Sequence, residues 1–282
     1  MKPLLELSNV SYAYHSRNGE TYALSDISFQ VQRGEFVAIV GPSGCGKSTL
    51  LSLISGLLEP ESGSISFTFE GKEINNGSFQ EKTGYMLQKD HLFEWRTIYG
   101  NVTLGLEIQD KLNEESRTRI DKMLMDYGLY RFRNARPSEL SGGMRQRAAL
   151  IRTLALEPEL LLLDEPFSAL DFQTRLSVCD DVATILRREK KTAILVTHDL
   201  SEAVSMADTV VVLSRRPARV QRILPIYFKN NDLSPFERRT ESEFKEYFNE
   251  LWRELNGEGD CTDVEIVRTE KKVLSEEVEY DR

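Results

Sequence analysis

Three stretches of the sequence place residue types at spacings suited to phosphate chemistry. Residues 41–49 read GPSGCGKST, in which Gly41-x4-Gly46-Lys47-Ser48 fits a phosphate-binding loop in full. Glycine permits the tight backbone whose N–H groups cradle phosphate oxygens; Lys47 would reach the β and γ phosphates, and the Ser48 hydroxyl would ligate Mg²⁺. The whole loop, Gly41, Pro42, Ser43, Gly44, Cys45, Gly46, Lys47, Ser48 and Thr49, is therefore expected to line a nucleotide. Cys45 reads as a small tolerated side chain rather than a redox switch. The second stretch, LLLLDEP, ends an apolar run with Asp164 and Glu165. Beside a phosphate loop, Asp164 suits a ligand of Mg²⁺ and its water, and Glu165 a base that polarises attacking water. Taken alone, two acids at a strand end also describe a solvated turn. The third stretch, LSGGMRQR, sets Ser141, Gly142 and Gly143 at the start of a helix, where bare N–H groups make an anion site and glycine lets a ligand approach. With one phosphate loop already present, whose phosphate this second site serves is left open.

These residues need strands and helices to hold them. LLELSNVSYAY and YALSDISFQVQ, parted by the polar HSRNGE, read as a small antiparallel sheet, and SGSISFTFEGKEI as a further hairpin. EFVAIV before the glycine loop and the apolar-rich KSTLLSLI after it give the strand-loop-helix context that a phosphate loop requires. LLLLD, TAILV and TVVVLS are apolar runs too short for typical helices, so they read as buried parallel strands with ligands near their carboxyl ends. Residues 89–157 read as mainly helical: Asn113 can cap a helix whose face carries Ile120, Met123, Leu124 and Tyr127, with Gly128 as its stop. After residue 225, NNDLSPFERR is linker-like. An amphipathic helix over 241–255 then carries Phe244, Tyr247, Phe248, Leu251, Trp252 and Leu255 on one stripe, with Thr240 and Glu243 as its expected capping box. This stripe is expected to dock on the chain's own core, with a regulatory or dimer contact as the second reading.

Composition narrows the function. A net charge of −9 argues against a general nucleic-acid binder, which needs a basic face. Residues 256–282 hold nine acidic against four basic side chains, a composition that favours disorder. Cys45, Cys179 and Cys261 are scattered and odd in number, which suits a reducing compartment. No apolar run approaches the roughly 18 residues of a membrane span, so a membrane role would come through a partner.

GPSGCGKST, GYMLQKD with Gln88, LSGGMRQR, LLLLDEP, SALD with Asp171 and VTHD with His198 stand in an order that resembles the ATP-binding cassette (ABC) ATPases, over about residues 4–224. The resemblance implies an α/β fold: a P-loop NTPase with a mainly parallel core sheet, an N-terminal antiparallel subdomain and an inserted helical subdomain. It implies ATP and Mg²⁺ as ligands. Tyr14 would stack on adenine, with Tyr12 as the fallback and core packing as the plain reading of either. Gln88 would contact Mg²⁺ and the attacking water, His198 the γ phosphate, and Asp171 a second copy. It also implies an answer for LSGGMRQR: in a homodimer, Ser141, Gly142 and Gly143 would close on the ATP held by the partner's phosphate loop.

DHLFEWRTIYGNVTLGLEI resembles more narrowly the ATPases of nitrate, aliphatic sulfonate and taurine importers, although Glu94 replaces the usual Pro and Ala218 stands where Gly is common. That resemblance implies a peripheral subunit on the cytoplasmic face of the membrane, a separate integral permease and, indirectly, an extracytoplasmic solute-binding protein. Leu92, Phe93, Trp95 and Arg96 would meet the permease's coupling helix, against the plainer reading that Phe93 and Trp95 pack the helical core. An importer for a thiamine precursor, or a non-transport ABC ATPase, stands as the alternative.

Overall fold

The computed structural model describes residues 2–17, 19–69, 72–74, 79–230 and 232–256. Its centre is a six-stranded sheet in the order β10-β9-β3-β8-β7-β6. The strands are β3 (Phe36–Val40), β6 (Thr83–Met86), β7 (Leu160–Asp164), β8 (Thr192–Val196), β9 (Thr209–Leu213) and β10 (Val220–Pro225). All neighbours pair in parallel except β10, which runs antiparallel to β9. Every residue of β3, β7 and β8 is buried, which is why their sequences are unbroken apolar runs rather than alternations. β6 was not foreseen as a strand; four residues at a sheet edge carry too little pattern to be read alone.

A second, antiparallel sheet is built from β1 (Leu5–Ser16), β2 (Gly19–Val31), β4 (Ser62–Phe69) and β5 (Lys72–Ile74), in the order β2-β1-β4-β5. Its apolar face shares one buried cluster with Val37, Ile39, Leu160, Ile194 and Val211 of the central sheet. The helix α1 (Lys47–Ile54) lies in the same cluster through Leu50, Leu51, Leu53 and Ile54. The opposite face of the central sheet shares a second buried cluster with α2 (Ile98–Ile108), α3 (Glu114–Asp126), α4 (Gly142–Leu154), α5 (Phe172–Arg188) and α6 (Leu200–Met206), of which α2 and α3 pack on α4. Asn113 caps α3 as expected, in a reciprocal box with Ser116.

The carboxyl-terminal segment is more firmly held than a linker. Ser234 and Glu237 form a capping box at the short α7 (Pro235–Arg238), and Arg187 of α5 donates to the Leu233 carbonyl at 3.1 Å. The Arg238 side chain is buried over the ring of Phe228. The capping box expected at Thr240 and Glu243 is not formed: the Thr240 hydroxyl donates to the Glu237 carbonyl at 2.7 Å instead, because the preceding turn claims it. The amphipathic helix α8 (Ser242–Asn256) docks its stripe on the main core, with Leu251 fully buried. The acidic stretch beyond it, with Cys261, lies outside the described residues.

Candidate functional site

Four chemistry-bearing segments leave the carboxyl ends of strands. β3 runs into the glycine loop, β8 into Thr197 and His198, β7 into Asp164 and Glu165, and β6 into Gln88. The loop then enters α1 with Gly46 as the residue before the helix, where no side chain caps the first turn. Those uncapped N–H groups have no partner within the helix and point at the loop's concavity. Gly46 has φ +123°, and a Cβ there would stand 2.9 Å from Leu24 Cδ2, so both conformation and space require glycine. Cys45 is buried, and burial pushes its thiol up, so it stays protonated.

Lys47 is 6% exposed, its ammonium donating to the carbonyls of Gly41 at 2.8 Å and Pro42 at 3.2 Å. Among the described residues no carboxylate lies within hydrogen-bond range of it, so this buried cation is hydrogen-bonded to carbonyls only, a standing attraction for an anion. The Ser48 hydroxyl donates to Asp164 Oδ1 at 3.0 Å, and the Tyr85 hydroxyl lies 3.4 Å from Oδ2. Burial pushes the Asp164 carboxyl above the usual carboxylate range, and the Ser48 hydrogen bond pulls it partly back. A buried carboxylate beside a hydroxyl is a hard oxygen donor pair that suits Mg²⁺. Among the described residues no group of three or more His, Cys, Asp or Glu could hold a metal, so such an ion would depend on the nucleotide's phosphates for further ligands.

Glu165 sits at φ +44°, an uncommon left-handed backbone for a non-glycine residue, with its N–H held by the Val196 carbonyl at 2.9 Å. This turn aims its carboxylate at both remaining polar groups: Oε2 lies 3.2 Å from His198 Nδ1 and accepts from Gln88 Nε2 at 3.3 Å. The Glu165 side chain is 23% exposed, so the solvated-turn reading does not hold. Gln88 also donates to Ser168 Oγ at 3.4 Å. Tyr14 remains 42% exposed, with its hydroxyl 3.0 Å from Thr49 Oγ1 and the edge of its ring on Tyr12. Tyr12 packs on the core, leaving Tyr14 as the free aromatic face beside the loop.

LSGGMRQR does open a helix: Ser141 caps α4 by accepting from the Met144 N–H. Among the described residues, no hydrogen bond or ion pair joins residues 141–143 to the phosphate loop, Asp164, Glu165, Gln88 or His198. The turn rests on α5 instead. A Cβ on Gly143 would stand 2.5 Å from Thr174 Cγ2, and one on Gly142 would stand 3.3 Å from Leu170 Cδ2. Gly143 is thus required by helix packing, a reason different from the ligand approach expected for it. Asp171 caps α5, accepting from the Thr174 N–H at 3.1 Å, and Thr174, through its side chain first and its N–H second, holds the Asp171 carboxyl below the usual range.

In the segment expected to face a partner, Leu92 is buried in the core rather than offered outward. Trp95 is 73% exposed, its ring tilted on Phe93 at 4.6 Å, so it does not pack the helical core. Arg96 is paired with Glu107, which also accepts from Thr103 at 2.6 Å. Asn101, which no sequence signal singled out, is fully buried and shapes this turn: it accepts from Phe93 N–H at 2.7 Å and donates to the carbonyls of Phe93, Arg96 and Thr97.

A model of the ABC transporter family matches residues 24–168. The chain belongs to the ABC transporter ATPases. This ABC cassette is 48% identical over 252 residues to an uncharacterized ABC transporter ATP-binding protein of Bacillus subtilis, covering 89% of this chain and 95% of the relative. It is 38% identical over 257 residues to the nitrate import ATP-binding protein NrtD of Synechocystis, covering 90% and 95%. Its fold is similar to a dimeric ATP-binding cassette solved in a post-hydrolysis state with ADP and Pi, at a TM-score of 0.67 and 30% identity, covering 79% of this chain and 99% of that one. The cassette is therefore an ATP-binding, ATP-hydrolysing subunit. Among its described residues no helix is long and apolar enough to cross a membrane.

Two tests follow from this geometry. Gly143→Ala should cost about 2 kcal/mol in denaturant unfolding by over-packing, and adding Thr174→Ser, which deletes the opposing methyl, should restore most of it. Equal stability of the single and double variants would show that Gly143 is not fixed by this contact. Glu202, in α6 beneath His198, is 3% exposed, and burial pushes its carboxyl up to about 7, against the Thr197 hydroxyl that donates to it at 2.6 Å. Its native pKa lies above its unfolded value, so its charged form is disfavoured in the fold. Stability linked to it is greatest at acid pH and falls as pH rises to about 7, by roughly 3 kcal/mol. Glu202→Gln should remove that component, so its advantage over the parent in unfolding free energy should grow between about pH 5 and 8; a constant difference would exclude it.

Proposed function

We propose that two copies of this cassette bind ATP between them and drive a separate membrane permease that imports a small solute of the nitrate, sulfonate or taurine kind. The observation that carries this reading is the split site. One chain gathers Lys47, Ser48, Asp164, Glu165, Gln88 and His198 at a single sheet edge, while among the described residues no hydrogen bond or ion pair joins its Ser141-Gly142-Gly143 turn to them. A second copy facing the first would supply the missing anion site, and the dimeric arrangement of the structural relative supports this. The nitrate importer among the relatives supports the solute class. An extracytoplasmic binding protein would deliver the solute, and the cassette would sit peripherally on the cytoplasmic face of the membrane.

In the hydrolytic step Lys47 and the loop N–H groups hold the phosphates and offset their charge. Ser48 and Asp164 would hold Mg²⁺, which when bound supplies charge stabilisation at the phosphates. Glu165, oriented by Gln88 and His198, accepts a proton from the attacking water, and His198 fixes the terminal phosphate in line. Tyr14 offers its ring to the adenine. Exposed Trp95, on the turn ordered by Asn101, is the anchor for the permease, and Arg96 contributes through its carboxylate-paired guanidinium.

Glu165→Gln should keep ATP affinity while losing roughly 10²- to 10⁴-fold of turnover, measured as phosphate release at saturating ATP. Near-parental turnover would remove Glu165 from the role of base. Trp95→Ala should leave basal ATP hydrolysis within about twofold while weakening co-purification of the membrane permease on the order of tenfold or more. Undiminished co-purification would place the permease contact elsewhere on the cassette.

A further inference from the structure

Arg175, in the first turn of α5, belongs to none of the motifs, yet it joins two of the loops that they occupy. Its Nη2 donates to the Leu170 carbonyl at 2.9 Å, at the end of the turn that follows Glu165. Its Nη1 lies 3.6 Å from Asp199 Oδ2, on the residue that follows His198. Its Nε is buried with no partner, so the two ends of the guanidinium carry all of its polar contacts.

Both anchored points are themselves fixed. Asp199 Oδ1 caps α6, accepting from the N–H groups of Ser201 at 2.7 Å and Glu202 at 3.4 Å. The Asp199 N–H donates to Thr197 Oγ1 at 3.0 Å, and Thr197 in turn donates to buried Glu202. The Thr197 N–H is held by the Ile39 carbonyl of β3 at 3.2 Å. His198 is thus a single residue strung between two clamped neighbours, and its side chain reaches Glu165. On the other side, Leu170 is buried, held by its N–H to Phe167, and lies against Gly142 of the Ser-Gly-Gly turn. Asp199 and Leu170 sit on separate loops, and among the described residues Arg175 is the one side chain that reaches both, by a hydrogen bond to Leu170 and an ion pair with Asp199.

We propose that Arg175 is a positioning residue: by holding the Leu170 carbonyl and the Asp199 carboxylate at once, it fixes His198 relative to Glu165 and to the turn that carries Asp171. A planar guanidinium can bridge two acceptors at a fixed separation; an ammonium presents one compact charge on a flexible stem and serves one of them. Displacement of the 168–171 turn, against which the Ser-Gly-Gly helix rests, is transmitted by this bridge to the His198 loop. Arg175 touches neither nucleotide-loop residue nor Glu165, so its effect falls on the rate of the chemical step and not on capture of ATP.

The inference rests on the assignment of His198 and Glu165 to hydrolysis, and the test separates the two. In the full chain, Arg175→Ala should lower kcat on the order of tenfold with KM for ATP within about twofold, and Arg175→Lys should recover only part of the loss. The second readout is independent of turnover. The chain has three histidines, His15, His91 and His198, so selectively labelled imidazoles can be followed one by one in NMR spectra. Arg175→Ala should shift or broaden the His198 signals and leave those of His15 and His91 in place. Unmoved His198 signals, or a rise in KM and a fall in thermal midpoint with kcat unchanged, would overturn the positioning role. Parental turnover in His198→Ala would instead overturn the assignment on which it stands.

Discussion

In-register hydrogen bonding between β3, β8, β7 and β6 brings the site together, because parallel strands that pair residue for residue also end side by side. Ile39 pairs with Val196, Val196 with Asp164, and Leu163 with Met86. The first polar residue after each apolar run therefore emerges on the same edge: the glycine loop, Thr197 and His198, Asp164 and Glu165, and Gln88. A slip of one residue in any pair would turn its buried side chains to the opposite face and carry its functional residue away from the others. The apolar runs enforce the register, since β3, β7 and β8 are buried on both faces and have no tolerant side toward which to slip. Core packing and catalytic geometry are in this sense one constraint.

The edge so formed carries charge that the fold alone does not neutralise. Lys47 is coordinated by two carbonyls, and Asp164 by a hydroxyl and a phenol. Lys47 and Asp164 attract one another but neither is hydrogen-bonded to an opposite charge, and desolvating such groups has a cost that a ligand bringing further counter-charges would offset. A polyanion with a divalent cation would meet both requirements, the anion at Lys47 and the cation at Ser48 and Asp164. The same logic explains the left-handed turn at Glu165: it is tolerated because its N–H is tied to β8, and it directs a carboxylate toward His198 and Gln88 that an ordinary strand exit would send into solvent.

Much of this was legible in the sequence because motif residues act through short-range backbone geometry: glycine loop to helix, apolar run to acid, Ser-Gly-Gly to helix start. What escaped depends on contacts across the chain. Gly143 looked like a residue kept small for a ligand, yet the atom it must avoid is Thr174 Cγ2, thirty-one positions away. The capping box expected at Thr240 and Glu243 for the amphipathic helix does not form, and a box at Ser234 and Glu237 opens instead a short helix ahead of it, inside a stretch whose composition reads as linker. Asn101, Arg175 and Glu202 had no sequence signal, since a lone polar residue on a helix is usually solvated. Burial and loop partners give them their roles, and neither is local.

The helical segment is joined to the site through the loop that carries Gln88. Arg145 of α4 donates to Asp90 Oδ2 at 3.1 Å and to the Leu140 carbonyl at 3.1 Å. Arg152, one face of α4 further on, donates to the carbonyls of Asp90 and His91, both at 2.7 Å. Burial holds its guanidinium below the usual arginine range, yet it is spent on two backbone acceptors of one loop. α4 therefore grips the chain two to three residues beyond Gln88, and its own amino end rests on the first turn of α5. A rigid shift of α4 cannot leave the Gln88 loop and the Asp171 turn behind, because the first is hydrogen-bonded to it and the second is packed against it without room for a methyl group. Force applied near Trp95, on the turn that leads into α2, reaches Glu165 by two routes: through Gln88 on one side and through the 168–171 turn on the other. Both routes converge on the carboxylate of Glu165, the base in the proposed hydrolytic step, so a displacement of the helical segment would be felt there.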